Sequence, residues 1–205
     1  MYPVIKKVMS VVGLALLASV APAEDGAALY ATCVACHGAQ GAGNPALSAP
    51  ALAGQDAAYI QRQLMNYRQG RRAADPADAL GQQMKGMASI LPSDQAVATV
   101  AAYIAGMPAP TGGTLVKFNQ RNGENQYNAA CGACHGGQAQ GNPALNSPRL
   151  AGQDPAYLKR QYQNFAAGLR GYHAADTYGR QMKMMSSMLA TEQDLDDVIG
   201  YIVSQ

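Results

Sequence analysis

Tryptophan is absent, and phenylalanine occurs only twice in 205 residues. A chain this poor in large rings builds only modest cores if it forms two small domains, and small domains need a further staple. Charge is scarce too: Asp, Glu, Lys and Arg make up 14% of the residues, and the formal net charge is +2. That excludes the strong basic patch a nucleic-acid partner would require. No stretch alternates apolar and polar residues as a strand does, so the fold class is all-α. The apolar run Val8–Val20 is too short to span a bilayer comfortably. It follows Lys6 and Lys7 and leads to Ala21-Pro22-Ala23, the pattern of a secretory signal peptide over residues 1–23. Cleavage after Ala23 removes two lysines and takes the formal charge from +2 to 0.

Cysteine is limited to four residues, and all four fall in one motif that occurs twice. Cys33-Val34-Ala35-Cys36-His37 and Cys131-Gly132-Ala133-Cys134-His135 both read C-x-x-C-H, 98 positions apart (131 − 33). Export would ordinarily suggest disulfides, but the adjacent histidines argue against them. Two thiols one helical turn apart can add to the two vinyl groups on one porphyrin edge, and the next His then faces the iron. The competing uses are a redox dithiol or half a zinc site. Using all four thiols in two copies favours two covalent haem c groups with iron, held by Cys33, Cys36, Cys131 and Cys134, with His37 and His135 as iron ligands.

The repeat extends well beyond the motif. Asn44-Pro45-Ala46-Leu47 returns as Asn142-Pro143-Ala144-Leu145, and Leu52-Ala53-Gly54-Gln55-Asp56 as Leu150-Ala151-Gly152-Gln153-Asp154. The divisions are residues 24–107 for an N-terminal domain, 108–115 for a Pro/Gly linker and 116–205 for a C-terminal domain. Each domain reads as three main helices. The first runs from Asp25 to about Ala35, and from Asn122 to about Ala133, with one extra residue before Cys131. The second follows the N-caps Asp56 and Asp154, carries Ile60, Leu64 and Tyr67 or Leu158, Tyr162 and Phe165, and stops at Gly70 or Gly168. The third follows Ser93 and Thr191, with Val97, Val100, Ala101 and Ile104 or Leu195, Val198, Ile199 and Ile202 at helical spacing.

The second axial position decides what such a site can do. His173 has no counterpart, because Asp75 occupies the matching place, and it reads as a loop residue. Methionine recurs in both halves as the pairs Met84/Met182 and Met87/Met185, and spacing alone does not choose between them. An N-terminal helix with Gly and an aromatic, C-x-x-C-H, a Pro-rich loop, a Met and a final helix with Tyr together resemble class I cytochrome c. Two such domains behind a signal peptide resemble the dihaem cytochrome c4 family, as do the Pro-x-Leu-Ala-Gly-Gln runs. In that family the ligand Met lies seven residues before the Leu preceding the last helix; Leu91 and Leu189 then select Met84 and Met182. The resemblance also implies that the carbonyls of Pro50 and Pro148 receive the second imidazole N–H, and that Gly26/Tyr103 and Gly123/Tyr201 form the crossing of the terminal helices. The extra residue before Cys131 departs from the pattern at the second crossing. Tyr59, Arg62, Tyr157 and Arg160 either face the haem propionates or belong to a solvated or packing helix face.

Iron with His and Met on its two faces has no open position for substrate, and a thioether ligand raises the potential. The implied function is a periplasmic dihaem carrier, not an enzyme. It would pass electrons from a quinol-oxidising complex or other donor towards a terminal oxidase or other acceptor, with peripheral association at the membrane. The rivals are a dihaem peroxidase-like enzyme and a haem-based gas-binding module, each needing one open iron. Two covalent haems per chain should survive denaturing electrophoresis with haem staining. Changing Cys33 and Cys36 together to Ala should leave one; two remaining would defeat the assignment.

Overall fold

The computed structural model describes residues 25–110 and 116–205. The expected signal peptide, residues 1–23, and residues 111–115 of the expected linker lie outside the described residues. Helices α1 (Gly26–Tyr30), α2 (Val34–His37), α3 (Ala57–Arg68), α4 (Ala79–Ser89) and α5 (Asp94–Ala105) make the first domain. Helices α6 (Gln120–Ala130), α7 (Gly132–His135), α8 (Pro155–Ala166), α9 (Thr177–Met185) and α10 (Glu192–Val203) repeat the order. A short 3-10 turn follows each haem motif, at Pro45–Leu47 and Pro143–Leu145. The described residues contain no β-strand, only isolated bridges between Asn44 and Ala49 and between Asn142 and Ser147.

The expected caps start the expected helices. Asp56 accepts from the Ala58 and Tyr59 amides, Asp154 from Tyr157, and Ser93 from Ala96. Thr191 and Asp194 form a reciprocal capping box. Pro155 stands at the first position of α8, where its missing N–H costs nothing. The apolar stripes turn inward: Ile60, Val97, Val100, Ala101 and Ile104 form one core with Tyr30 and Leu91, and Leu158, Leu195, Val198, Ile199 and Ile202 form the other with Tyr127.

Two expectations need correcting. Each domain has a further long helix, α4 or α9, beyond the three read from periodicity. Its pattern is obscured by an early glycine, Gly81 or Gly179. A side chain at either would collide with the buried carboxylate of Asp78 or Asp176, which caps the same helix by accepting from that glycine's N–H at 3.1 Å. The first helix of the N-terminal domain is also shorter than expected. It breaks after Tyr30 and resumes at Val34.

That break explains the extra residue before Cys131. The Cys33 amide bonds back three residues to the Tyr30 carbonyl at 2.8 Å, whereas the Cys131 amide bonds back four to Tyr127 at 2.8 Å. A tight turn in one domain replaces a full α-turn in the other. Both tyrosines then occupy equivalent sites, their hydroxyls donating to Gly38 O at 2.7 Å and Gly136 O at 2.6 Å. The terminal helices cross closely in both domains: Gly26 lies on Tyr103 and Gly123 on Asp197 and Tyr201, leaving no room for a Cβ. Tyr30 and Tyr103 rings pack 5.7 Å apart, and Tyr127 and Tyr201 rings 5.1 Å apart.

The second crossing has an additional tie. Asp197 in α10 accepts from the Asn119 amide at 2.9 Å, from Asn122 Nδ2 at 2.8 Å and from Gln193 Nε2 at 2.9 Å. The Asn119 backbone N–H, with Asn122 and then Gln193, holds its pKa below the usual carboxylate range. Ionised Asp197 therefore stabilises the fold above the ordinary carboxylate pKa, and the contribution disappears as pH falls through the lowered folded value. Asp197→Ala should cost about 1–3 kcal/mol in urea unfolding at pH 7, because its donors lose their acceptor. The difference from the parent protein should shrink in acid.

Candidate functional site

The two C-x-x-C-H helices open into one continuous cavity. Its lining includes Cys33, Cys36 and His37 from one domain and Cys131, Cys134 and His135 from the other. Burial raises the Cys33 thiol pKa and pushes that of Cys131 up to about 11. Protonated thiols of this kind do not suit a redox dithiol, whose chemistry depends on a lowered pKa.

Each imidazole is fixed by a loop. His37 Nδ1 lies 2.9 Å from Pro50 O, and His135 Nδ1 lies 3.0 Å from Pro148 O. A carbonyl can only accept, so the neutral ring carries its proton on Nδ1 and keeps a lone pair on Nε2. Burial lowers both histidine pKa values and favours that neutral form. The proline loops are set by Gly43 (φ +83°) and Gly141 (φ +85°). A Cβ on Gly43 would stand 2.7 Å from Ala51 N and 2.8 Å from Pro50 C; on Gly141 it would stand 2.6 Å from Arg149 N and 2.9 Å from Pro148 C.

Met84, Met87, Met182 and Met185 all line the cavity. Met84 is half-buried and packs on Tyr67, Ala73 and Ala88, and Met182 is half-buried too. Met87 and Met185 are 41% and 38% exposed. His173 is exposed in a turn, where its Nδ1 accepts from the Ala175 amide at 3.1 Å.

Tyr59, Arg62, Tyr157 and Arg160 do not form a solvated helix face. Arg62 reaches across the domain boundary to Asn146 Oδ1 at 3.1 Å and Asn146 O at 2.8 Å. Its counterpart Arg160 reaches back to Ser48 O at 2.9 Å. Sequence reasoning missed the pair behind them, Arg72 and Arg170. Arg72 donates to Gln63 Oε1 at 2.8 Å and Gln161 Oε1 at 3.0 Å; Arg170 donates to Gln161 Oε1 at 2.8 Å and Gln63 Oε1 at 3.1 Å. Arg72 stacks 4.5 Å above the Tyr67 ring, and Arg170 4.4 Å above Phe165. The recurrence of Gln63/Gln161 and Arg72/Arg170 at offset 98 was the available signal.

The Nε atoms of Arg62, Arg72, Arg160 and Arg170 are buried without a hydrogen-bond partner. These four guanidinium groups line the cavity together with that of Arg149, and the one carboxylate among its lining residues is Asp78. Buried charge needs compensation. Two haems bring four propionates, so the charge, the thiols and the free imidazole nitrogens all fit that group.

A cytochrome c family model matches residues 23–108 and again 120–205. Cytochrome c4 of Stutzerimonas stutzeri is 34% identical over 157 residues, covering 72% of this chain and 74% of its own. The chain belongs to the dihaem cytochrome c4 family. It accordingly carries two covalent haem c groups and is a dihaem electron-transfer cytochrome. The crystal structure of reduced recombinant cytochrome c4 from Pseudomonas stutzeri superposes with a TM-score of 0.69 at 29% identity, over 86% of this chain and 95% of the other. Another relative, the thiosulfate dehydrogenase electron acceptor of Thiomonas intermedia, is 36% identical over 176 residues, covering 80% of this chain and 77% of its own.

Gly43→Ala tests the loop that holds His37. The substitution forces a side chain into a left-handed backbone against Pro50. It should destabilise the protein by roughly 1–3 kcal/mol in thermal unfolding and lower haem occupancy in the N-terminal domain.

Proposed function

We propose that this protein is an exported, periplasmic carrier in a respiratory chain. It takes electrons from a quinol-oxidising complex or other donor and delivers them towards a terminal oxidase or other acceptor, with peripheral association at the membrane. The observation that carries the reading is the shared cavity, lined by two C-x-x-C-H motifs whose imidazoles each keep Nε2 free. In this reading Cys33 and Cys36, and Cys131 and Cys134, hold the two haems covalently. His37 and Met84 ligate one iron, and His135 and Met182 the other. Pro50 and Pro148 orient the imidazoles, and Arg62, Arg72, Arg160 and Arg170 receive the propionates. When bound, each haem supplies one-electron exchange at its iron. The protein supplies a neutral, oriented imidazole, a soft thioether that favours the reduced iron, and an enclosed setting shared by both sites.

Saturated ligation leaves no iron position for substrate, which supports a carrier over the peroxidase-like and gas-binding alternatives. Signal-peptide export rests on residues 1–23, and among the described residues no helix is long and apolar enough to cross a membrane. The name of the Thiomonas relative supports a second choice of donor, a thiosulfate-oxidising dehydrogenase.

The axial methionines give the direct test. The separation from His to Met is 47 residues in both halves (84 − 37 and 182 − 135). Met84→Ala should abolish the Fe–S absorption band of one haem and open it to carbon monoxide. Met87→Ala should keep that band and cost less than about 2 kcal/mol, since its side chain is already partly in water. The reverse pattern would move the ligand to Met87. If neither change affects the band, methionine does not ligate in this domain and an open-site function gains the advantage.

A further inference from the structure

The domain boundary contains a second reciprocal arrangement, directly behind the two histidines. Gln153 Oε1 accepts from the Ala51 amide at 3.1 Å, and Gln153 Nε2 donates to Ala51 O at 2.6 Å. Gln55 does the same to Arg149, accepting from its amide at 3.1 Å and donating to its carbonyl at 2.6 Å. Both glutamine side chains are buried, at 6% and 5% exposure for Gln55 and Gln153. Pro50 C=O and Ala51 N–H belong to one peptide group, as do Pro148 C=O and Arg149 N–H. The peptide that accepts the His37 proton therefore donates to a glutamine of the opposite domain. The peptide behind His135 is held in the same way by the first domain.

We infer that Gln153 and Gln55 are crossed positioning residues, each setting the reduction potential of the haem in the other domain through the peptide behind its histidine. Hydrogen bonds in a chain polarise one another, most of all in a buried setting. An acceptor on Ala51 N–H enriches the Pro50 carbonyl oxygen and strengthens the bond it takes from His37 Nδ1–H. The imidazole becomes more basic at Nε2, which stabilises the oxidised iron and lowers that haem's potential. Domain closure and potential are thereby linked, because the glutamine reaches its peptide only when the domains are docked. The inference rests on His37 and His135 as ligands, proposed above.

The test uses the full-length holoprotein. Haem methyl resonances, assigned by domain and followed through a redox titration, give one potential per haem. The parent protein's haem count and Fe–S band check the ligand set independently of this inference. Gln153→Leu should raise the potential of the Cys33/Cys36 haem and move the His37 Nδ1–H resonance upfield, with little change at the other haem. Gln55→Leu should do the converse. Gln153→Glu retains the acceptor and should produce no rise. Tyr172→Phe removes a different bond across the boundary, its hydroxyl lying 3.0 Å from Gly70 O, and should leave both potentials unchanged. Equal shifts at both haems, a shift only within the mutated domain, no shift, or a rise in Gln153→Glu would each overturn the inference. If the leucine variants fail to load haem, amide exchange in the parent protein decides. Ala51 and Arg149 must then exchange far more slowly than surface-loop amides, and solvent-like exchange would overturn the inference.

Discussion

The hydrogen bond from each imidazole to a proline carbonyl is the constraint on which the rest of the architecture depends. It joins the C-x-x-C-H helix to a loop thirteen residues away (50 − 37) and decides which ring nitrogen stays available. Holding that carbonyl requires the left-handed turns at Gly43 and Gly141. It also requires the backbone that follows to run along the domain boundary, where the glutamines meet it. Local geometry at the iron and packing between the domains are therefore solved by the same few residues.

Much of this was legible in the sequence because it depends on local chemistry. Asp56, Asp154, Ser93 and Thr191 cap helices through their own side chains, and the apolar stripes obey a simple period. The boundary between domains was not legible. Gln63, Arg72, Gln161 and Arg170 lie on polar positions, which a periodic reading assigns to water. Their burial depends on a second copy of the same face supplying partners, and only the offset of 98 hinted at that. Helices α4 and α9 escaped for a different reason. Glycine is a poor helix former, yet Gly81 and Gly179 are required there because a buried carboxylate occupies the space of a side chain.

The two domains are related but not equivalent. Tyr172 bridges to the first domain, whereas its repeat partner is Ala74. Tyr178 stacks 4.6 Å from the Arg62 guanidinium, whereas its partner is Leu80. Asp197 ties α6 to α10, where the first domain has Thr99. The C-terminal domain thus carries the additional polar fastenings, and a duplicated sequence yields two sites with different surroundings.

The four arginines with unpartnered Nε atoms have a consequence for how the protein is made. Their positive charge is buried in the seam that both domains share, so neither domain can neutralise it alone. In the proposed reading the haem propionates are the partners these cations lack, so a chain with one haem would leave part of that charge uncompensated. Maturation of either half would then bear on the electrostatics of the whole seam, because the same cations border both sites.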